Sequence, residues 1–190
     1  MARLFTPKIA AFYEDYYKNK GVQFIKGTVM SSFESDSQGK VVAVILKNGT
    51  HLATDMVVVG IGIRANTELF EDQLAMEKGG IKVNGKMQTS TSYTYAVGDV
   101  ATFPLKLSGG IRRLEHVDFS RKSAIHAVKA IMSPNTIHDF DYLPYFYSRV
   151  FTLSWQFFGD NIGDVIHFGE STQGNFDAEV ARPRIVMAKK

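Results

Sequence analysis

The chain has 190 residues, 45% hydrophobic and 12% aromatic, which supports packed cores and argues against intrinsic disorder. Its net charge of +3 comes from scattered Lys and Arg, so a nucleic-acid groove is not expected and small anionic ligands are the electrostatically favoured partners. With no cysteine, disulfides, thiolate metal sites and thiol redox pairs are excluded, and any redox chemistry needs a bound cofactor.

No stretch has the pattern of a signal peptide or the length to span a bilayer, so a soluble intracellular chain is expected. The first 20 residues open with a helix, with Thr6 as N-cap, Pro7 at the first position and Gly21 at the stop. Ile9, Phe12, Tyr13, Tyr16 and Tyr17 recur at helical spacing, an apolar face for a core. Strands are expected at 22–25, 28–33 and 41–46, the last two joined by the turn Ser35-Asp36-Ser37-Gln38-Gly39. Asn48-Gly49 predicts another tight turn before a short strand at 51–53. Asp55-Met56-Val57-Val58-Val59 then predicts a strand buried on both faces.

Gly60-Ile61-Gly62-Ile63-Arg64-Ala65 formally matches the dinucleotide fingerprint. After the next expected strand, at 81–83, comes Asn84 rather than an acid. The glycines are therefore taken to let a loop pass close to a ligand or to another backbone. Asn66 caps a short helix through Leu74, and strands at 81–83 and 87–89 flank Asn84-Gly85.

The stretch Tyr95-Ala96-Val97-Gly98-Asp99-Val100-Ala101 predicts a strand at 95–97 that stops at a glycine and presents one carboxylate. Open α/β sheets bind ligands at the carboxyl ends of their strands, and Asp99 there can accept hydrogen bonds from sugar-like hydroxyls. Strand–Gly–Asp turns also cap helices, and local sequence leaves both readings open. Phe103-Pro104 and Gly109-Gly110 suggest a loop, and Asp118 the N-cap of a helix over 119–132 with Ala124, Ala127, Val128 and Ile131 buried. Arg121 and Lys122 sit in its first turn against the macrodipole, either as a solvated turn or as a hint of anion binding.

Ser133-Pro134-Asn135 marks a boundary, followed by aromatic-rich sequence with strands at 150–153, 155–158 and 165–168. Residues 171–190 lack clear periodicity and are expected to be loose, apart from a strand at 184–187. His51, His116, His126, His138 and His167 have no metal-site spacing, and no metal is expected. Asp139 and Asp141 end a turn, and neither a serine elbow nor a phosphate P-loop is present.

Several stretches stand in a recognisable order. They are Met1-Ala2-Arg3-Leu4-Phe5, Gly60-Ile61-Gly62, Tyr95-Ala96-Val97-Gly98-Asp99-Val100-Ala101-Thr102-Phe103-Pro104, Glu115-His116-Val117-Asp118 and Arg121-Lys122-Ser123-Ala124. Tyr142-Leu143-Pro144-Tyr145-Phe146-Tyr147-Ser148-Arg149 and Trp155-Gln156-Phe157-Phe158-Gly159-Asp160-Asn161 complete them. From residue 1 to about 170 the chain resembles the plant monodehydroascorbate reductases, within the FAD/NAD(P)-dependent pyridine nucleotide-disulfide oxidoreductases.

The resemblance implies an α/β fold, here an α+β fragment with a β-meander. It comprises partial Rossmann-like domains, NAD(P)-binding over 1–65 and FAD-binding over 66–133, then the start of an interface domain over 134–170 and a divergent tail over 171–190. It implies that Asp99 bonds the FAD ribityl chain, with Val117 and Tyr147 near the flavin. Arg3 would face the adenosine part of NADH or NADPH, and Gly62, Glu115 and His116 would line the path to the flavin. Arg121 and Arg149 would grip the monodehydroascorbate radical, whose reduction regenerates ascorbate. The small-molecule radical is the expected partner, with self-association through exposed strand edges as a further one, and the compartment cytoplasmic or peroxisomal.

The family's two glycine-rich phosphate-binding motifs are missing, and Ala65 replaces the usual proline. A truncated chain with weak or no FAD binding and little activity is therefore expected. The alternatives are a catalytically inactive remnant that acts by partner binding, or another reductase of the superfamily such as a ferredoxin or rubredoxin reductase.

Overall fold

The computed structural model describes residues 5–160, 163–170, 175–180 and 185–187, in two compact units, Met1–Ile63 and Arg64–Lys190. In the first unit, helix α1 (Pro7–Lys18) starts where Thr6 accepts the Ile9 amide at 3.4 Å and Pro7 brings a preset φ. Ile9 and Tyr13 are buried, with Phe12 and Tyr17 packed ring to ring on Tyr13. β1 (Met30–Ser35), β2 (Val41–Leu46) and β3 (His51–Ala53) form an antiparallel meander in that order. Asp36 closes the first hairpin by accepting the Gln38 and Lys40 amides, and Asn48 closes the second through the Thr50 amide.

Two expected strands of this unit do not form. Residues 22–25 are irregular, because the Val22 amide is spent on the Tyr17 carbonyl at the end of α1. Residues 55–59 are also irregular, and Met56, Val58 and Val59 are 74%, 85% and 57% exposed. An apolar run becomes a doubly buried strand only when neighbours pair with it, and among the described residues none does.

In the second unit, β4 (Met76–Glu77), β5 (Gly80–Lys82), β6 (Ala101–Leu105) and β7 (Gly110–Arg113) form a sheet in the order β4-β5-β6-β7. Only β5 and β6 run parallel within it. Helix α2 (Val117–Met132) buries Phe119, Ser123, Ala127 and Ala130. Phe103 of β6 and Phe119 are fully buried and stack with centroids 4.6 Å apart, and Phe140 and Tyr142 close over them.

Several boundaries shift. Residues 66–74 hold only a 3₁₀ turn, Glu68–Phe70, with no side-chain cap. The expected strands at 87–89 and 95–97 reduce to one bridge, Gln88 to Tyr95. Phe103-Pro104 lies in β6 rather than in a loop; β5 pairs β6 only at Ala101 and Thr102, so the missing amide of Pro104 breaks no ladder on that side. α2 begins at Val117, with His116 rather than Asp118 as N-cap. Its expected apolar stripe is rotated off the core, Val128 and Ile131 being 59% and 52% exposed, because a polar residue, Ser123, faces inward.

β8 (Tyr145–Val150) and β9 (Leu153–Phe158) form an antiparallel hairpin. The strand expected at 150–153 is instead its turn, with Phe151 at a φ of +51°. β10 (Val165–Glu170), β11 (Asn175–Val180) and β12 (Ile185–Met187) form an antiparallel sheet, so β12 lies where a strand was expected while β11 falls in sequence expected to be loose. The whole is a mixed α/β chain, as expected.

Candidate functional site

Asp99 is delivered by a tight reversal of the chain. Gly98 takes a φ of +67°, opens the 3₁₀ turn Gly98–Val100 and donates its amide to Ser123 Oγ at 3.1 Å. That bond explains why a serine sits on the buried face of α2. An added Cβ at Gly98 would stand 3.1 Å from Ser120 Oγ, so both backbone and space favour glycine. The Asp99 side chain is exposed, and its Oδ1 accepts Ser120 Oγ–H at 3.1 Å.

Arg113, to which the sequence alone assigned no role, ties this turn to the entrance of α2. Its Nη1 donates to the Asp99 carbonyl at 3.0 Å and its Nη2 meets Glu115 Oε1 at 2.6 Å. The pair Arg112-Arg113 ahead of Glu115 was visible in the sequence, but its target is a backbone carbonyl that only the fold brings near. Asp118 is occupied otherwise than by capping: its Oδ2 accepts Tyr142 Oη–H at 3.0 Å and pairs with Lys122 Nζ at 2.9 Å. Burial and this donated hydrogen bond push the Tyr142 phenol well above its ordinary range.

His116 makes no side-chain cap bond, so the first amides of α2 are left without one. Its Nδ1 is buried without a partner among the described residues, as is Arg113 Nε. The imidazole lies on the Phe146 ring with centroids 4.3 Å apart. Burial lowers its pKa below the ordinary histidine value, against the pull of Glu115, Asp99 and Asp118, so the ring is neutral at pH 7.

Tyr147 and Arg149 belong to the other face of β8. Alternation puts Tyr145, Tyr147 and Arg149 on one side and Phe146, Ser148 and Val150 on the other. Phe146 is the side chain turned to His116; Tyr147 is 70% exposed. Arg121, in the second turn of α2, is exposed, as is Val117 at its start. Neither Arg121 nor Arg149 forms an ion pair among the described residues. The structure thus joins Asp99 and Glu115 through Arg113 and sets the neighbouring His116 against Phe146, with no hydrogen bond or ion pair linking Arg121 or Arg149 to them among the described residues.

Gly62, in the first unit, has a φ of +98° with nothing within 4 Å of an added Cβ, so conformation rather than close approach accounts for it. Arg3 and Asn161 lie outside the described residues. His126 is structural, its Nε2 3.1 Å from the Gly85 carbonyl and its ring against Phe140. Among the described residues no cluster suited to a metal ion occurs, and no helix is long and apolar enough to cross a membrane.

Residues 1–130 match the pyridine nucleotide-disulphide oxidoreductases. The chain belongs to that family. Members of the family use FAD and NAD(P)H. Residues 143–183 match the C-terminal domain of monodehydroascorbate reductase 3-like proteins, which carries the likeness past Glu170, where it was expected to end.

Two relatives are peroxisomal proteins. Monodehydroascorbate reductase 4 of Arabidopsis thaliana is 70% identical over 92% of this chain and 36% of its own length. Monodehydroascorbate reductase 2 of Oryza sativa subsp. japonica is 68% identical over 92% of this chain and 37% of its own. The chain therefore spans little more than a third of these relatives. A ferredoxin reductase from Rhodopseudomonas palustris superposes with a TM-score of 0.90 at 26% identity, covering 100% of this chain and 47% of the reductase. This likeness gives the chain the Rossmann-like fold of the group.

The residues present fit a flavin nucleotide. Such a ligand needs an acceptor for sugar hydroxyls, which the exposed Asp99 carboxylate offers, and donors for anionic oxygens, which the uncapped start of α2 offers.

Proposed function

We propose that this chain is part of an FAD-dependent oxidoreductase that passes electrons from NADH or NADPH to the monodehydroascorbate radical, regenerating ascorbate. The 70% identity over 92% of the chain to a protein named for that activity carries the reading. FAD supplies the chemistry that couples a two-electron hydride donor to a one-electron acceptor. Asp99, steadied by Ser120 and by Arg113 at its carbonyl, would bond the ribityl hydroxyls, with Val117 and Tyr147 beside the ring system. Glu115, His116 and Gly62 would line the nicotinamide path, and Arg3 would meet the adenosine end. Arg121 and Arg149 would hold the radical anion, for which planar guanidinium donors are better suited than ammonium groups.

In this reading 1–65 belongs to the NAD(P)-binding domain, 66–133 to the FAD-binding domain and 134–170 to the interface domain. Two relatives carry peroxisomal names, and the peroxisome or the cytoplasm is the proposed compartment. A ferredoxin-type reductase is the second reading, favoured by the structural likeness at a TM-score of 0.90 but at only 26% identity. The test has two steps: a fluorescence titration of the purified chain with FAD, then reduction of the ascorbate radical, of ferricyanide and of a ferredoxin. Preference for the radical, lost in Arg121→Ala and Arg149→Ala, supports the proposal; preference for ferredoxin overturns it. The remnant reading instead predicts no reduction of any of the three acceptors and self-association through strand edges in sedimentation.

A further inference from the structure

The start of α2 and the strand β8 carry different parts of the candidate site, and one side chain between them is bonded to both. Tyr142 is buried, at 3% exposure, beneath the Phe119 and Phe140 rings. Its hydroxyl donates to Asp118 Oδ2 in the first turn of α2 at 3.0 Å and accepts the amide of Tyr145, the first residue of β8, at 3.3 Å. Lys122 holds the same Asp118 oxygen at 2.9 Å while its ammonium lies 5.5 Å from the Tyr142 ring centroid. Farther along, Phe146 rests on His116 and meets Trp155 of β9 edge to face at 5.5 Å. None of these contacts would be needed merely to bury an aromatic ring: a phenylalanine would fill the same space.

We propose that Tyr142 and Asp118 are positioning residues of the site. Their hydrogen bond fixes β8, and with it Tyr147 and Arg149, relative to the α2 entrance that carries Glu115, His116 and Val117. This deepens the flavin-site reading above and rests on it for its functional meaning. The bond works by leverage. Tyr147 is exposed and Arg149 forms no ion pair among the described residues, so their positions depend on where the backbone of β8 is held. A charge-assisted bond is roughly twice as strong as a neutral one, and Asp118 offers one on a rigid helical turn. The arrangement is also directional: Asp118 only accepts, so Tyr142 must donate to it and keep its lone pairs for the Tyr145 amide.

The test is made on the chain itself, with Tyr142→Phe, which keeps the ring, and Asp118→Asn, which keeps an acceptor oxygen. One readout is the His116 titration by proton NMR, which reports cover by Phe146. The other is acrylamide quenching of Trp155, the single tryptophan. In Tyr142→Phe the His116 pKa is expected to rise toward ~6.5 and Trp155 to become more quenchable, because the ribbon no longer sits on the ring. In Asp118→Asn, which keeps the acceptor but loses the charge, the quenching is expected to lie between the parental value and that of Tyr142→Phe. Unchanged His116 and Trp155 signals in Tyr142→Phe overturn the proposal, as does an Asp118→Asn chain as easily quenched as Tyr142→Phe.

Should Tyr142→Phe not fold, Asp118→Ala with the native ring decides by the same quenching: an increase supports the strut and parental quenching overturns it. A purely space-filling role for Tyr142 would move neither readout. FAD titration of the parent chain is a separate measurement. Weak or no binding is the expected result there for a chain without the glycine-rich motifs, so the bond between α2 and β8 stands or falls on the His116 titration and the Trp155 quenching alone.

Discussion

Gly98 and Gly109 share almost the same backbone conformation, with φ of +67° and +64°, but not the same surroundings. An added Cβ at Gly109 meets nothing within 4 Å, whereas at Gly98 it stands 3.1 Å from Ser120 Oγ and 3.4 Å from Ser120 Cβ. Gly109→Ala therefore measures the left-handed conformation alone, about 1–2 kcal/mol for a residue with a Cβ. Gly98→Ala adds the displacement of a serine whose hydroxyl is bonded to Asp99, an interaction with a charged acceptor worth about 1.5–3 kcal/mol at most and less at an exposed carboxylate. The expected order is a loss of ~1 kcal/mol for Gly109→Ala and ~2 kcal/mol or more for Gly98→Ala. Urea unfolding followed by Trp155 fluorescence supplies both values. Ser120→Ala removes the crowding oxygen, so in that background Gly98→Ala should cost no more than Gly109→Ala does. Equal costs for the two alanines in the parent, with no coupling to Ser120, would refute the claim that this turn is packed against α2.

Three further outcomes are expected. Phe103→Ala opens a hole against Phe119 and Phe140 in a residue with 0% exposure, and should cost about 3–5 kcal/mol in denaturant unfolding. His116 is held neutral by burial, so the unfolded chain takes up its proton first as pH falls. The His116 contribution to stability is therefore constant above the unfolded value of about 6.5 and declines below it, a slope that His116→Gln should flatten in thermal melts. Glu14 is lowered to about 2 by hydrogen bonds from Lys18 and Lys26, so its contribution is present above the ordinary carboxylate range and is lost as pH falls toward that value. An NMR titration should find Glu14 ionised well below other glutamates, and Lys26→Gln should raise its pKa.

Local chemistry written into short stretches was legible from the chain alone. Thr6-Pro7 starts α1, Asp36 and Asn48 close their hairpins, and β2 and β3 lie where alternation and turn residues put them. In each case the deciding interaction spans only a few residues, so sequence neighbours suffice. What failed depended on distant partners. The run at 55–59 has the composition of a buried strand, but a strand needs a neighbour, and none pairs with it among the described residues. The phase of α2 was misread because Ser123, polar by composition, turns inward to meet the amide of Gly98. At the site, the residues themselves pointed to Gly98-Asp99, while Glu115-His116 entered through the family resemblance. Only the tertiary structure brought Arg113 to the Asp99 carbonyl and Tyr142 to Asp118, because hydrogen bonds between groups 14 and 24 residues apart are set by packing rather than by local sequence.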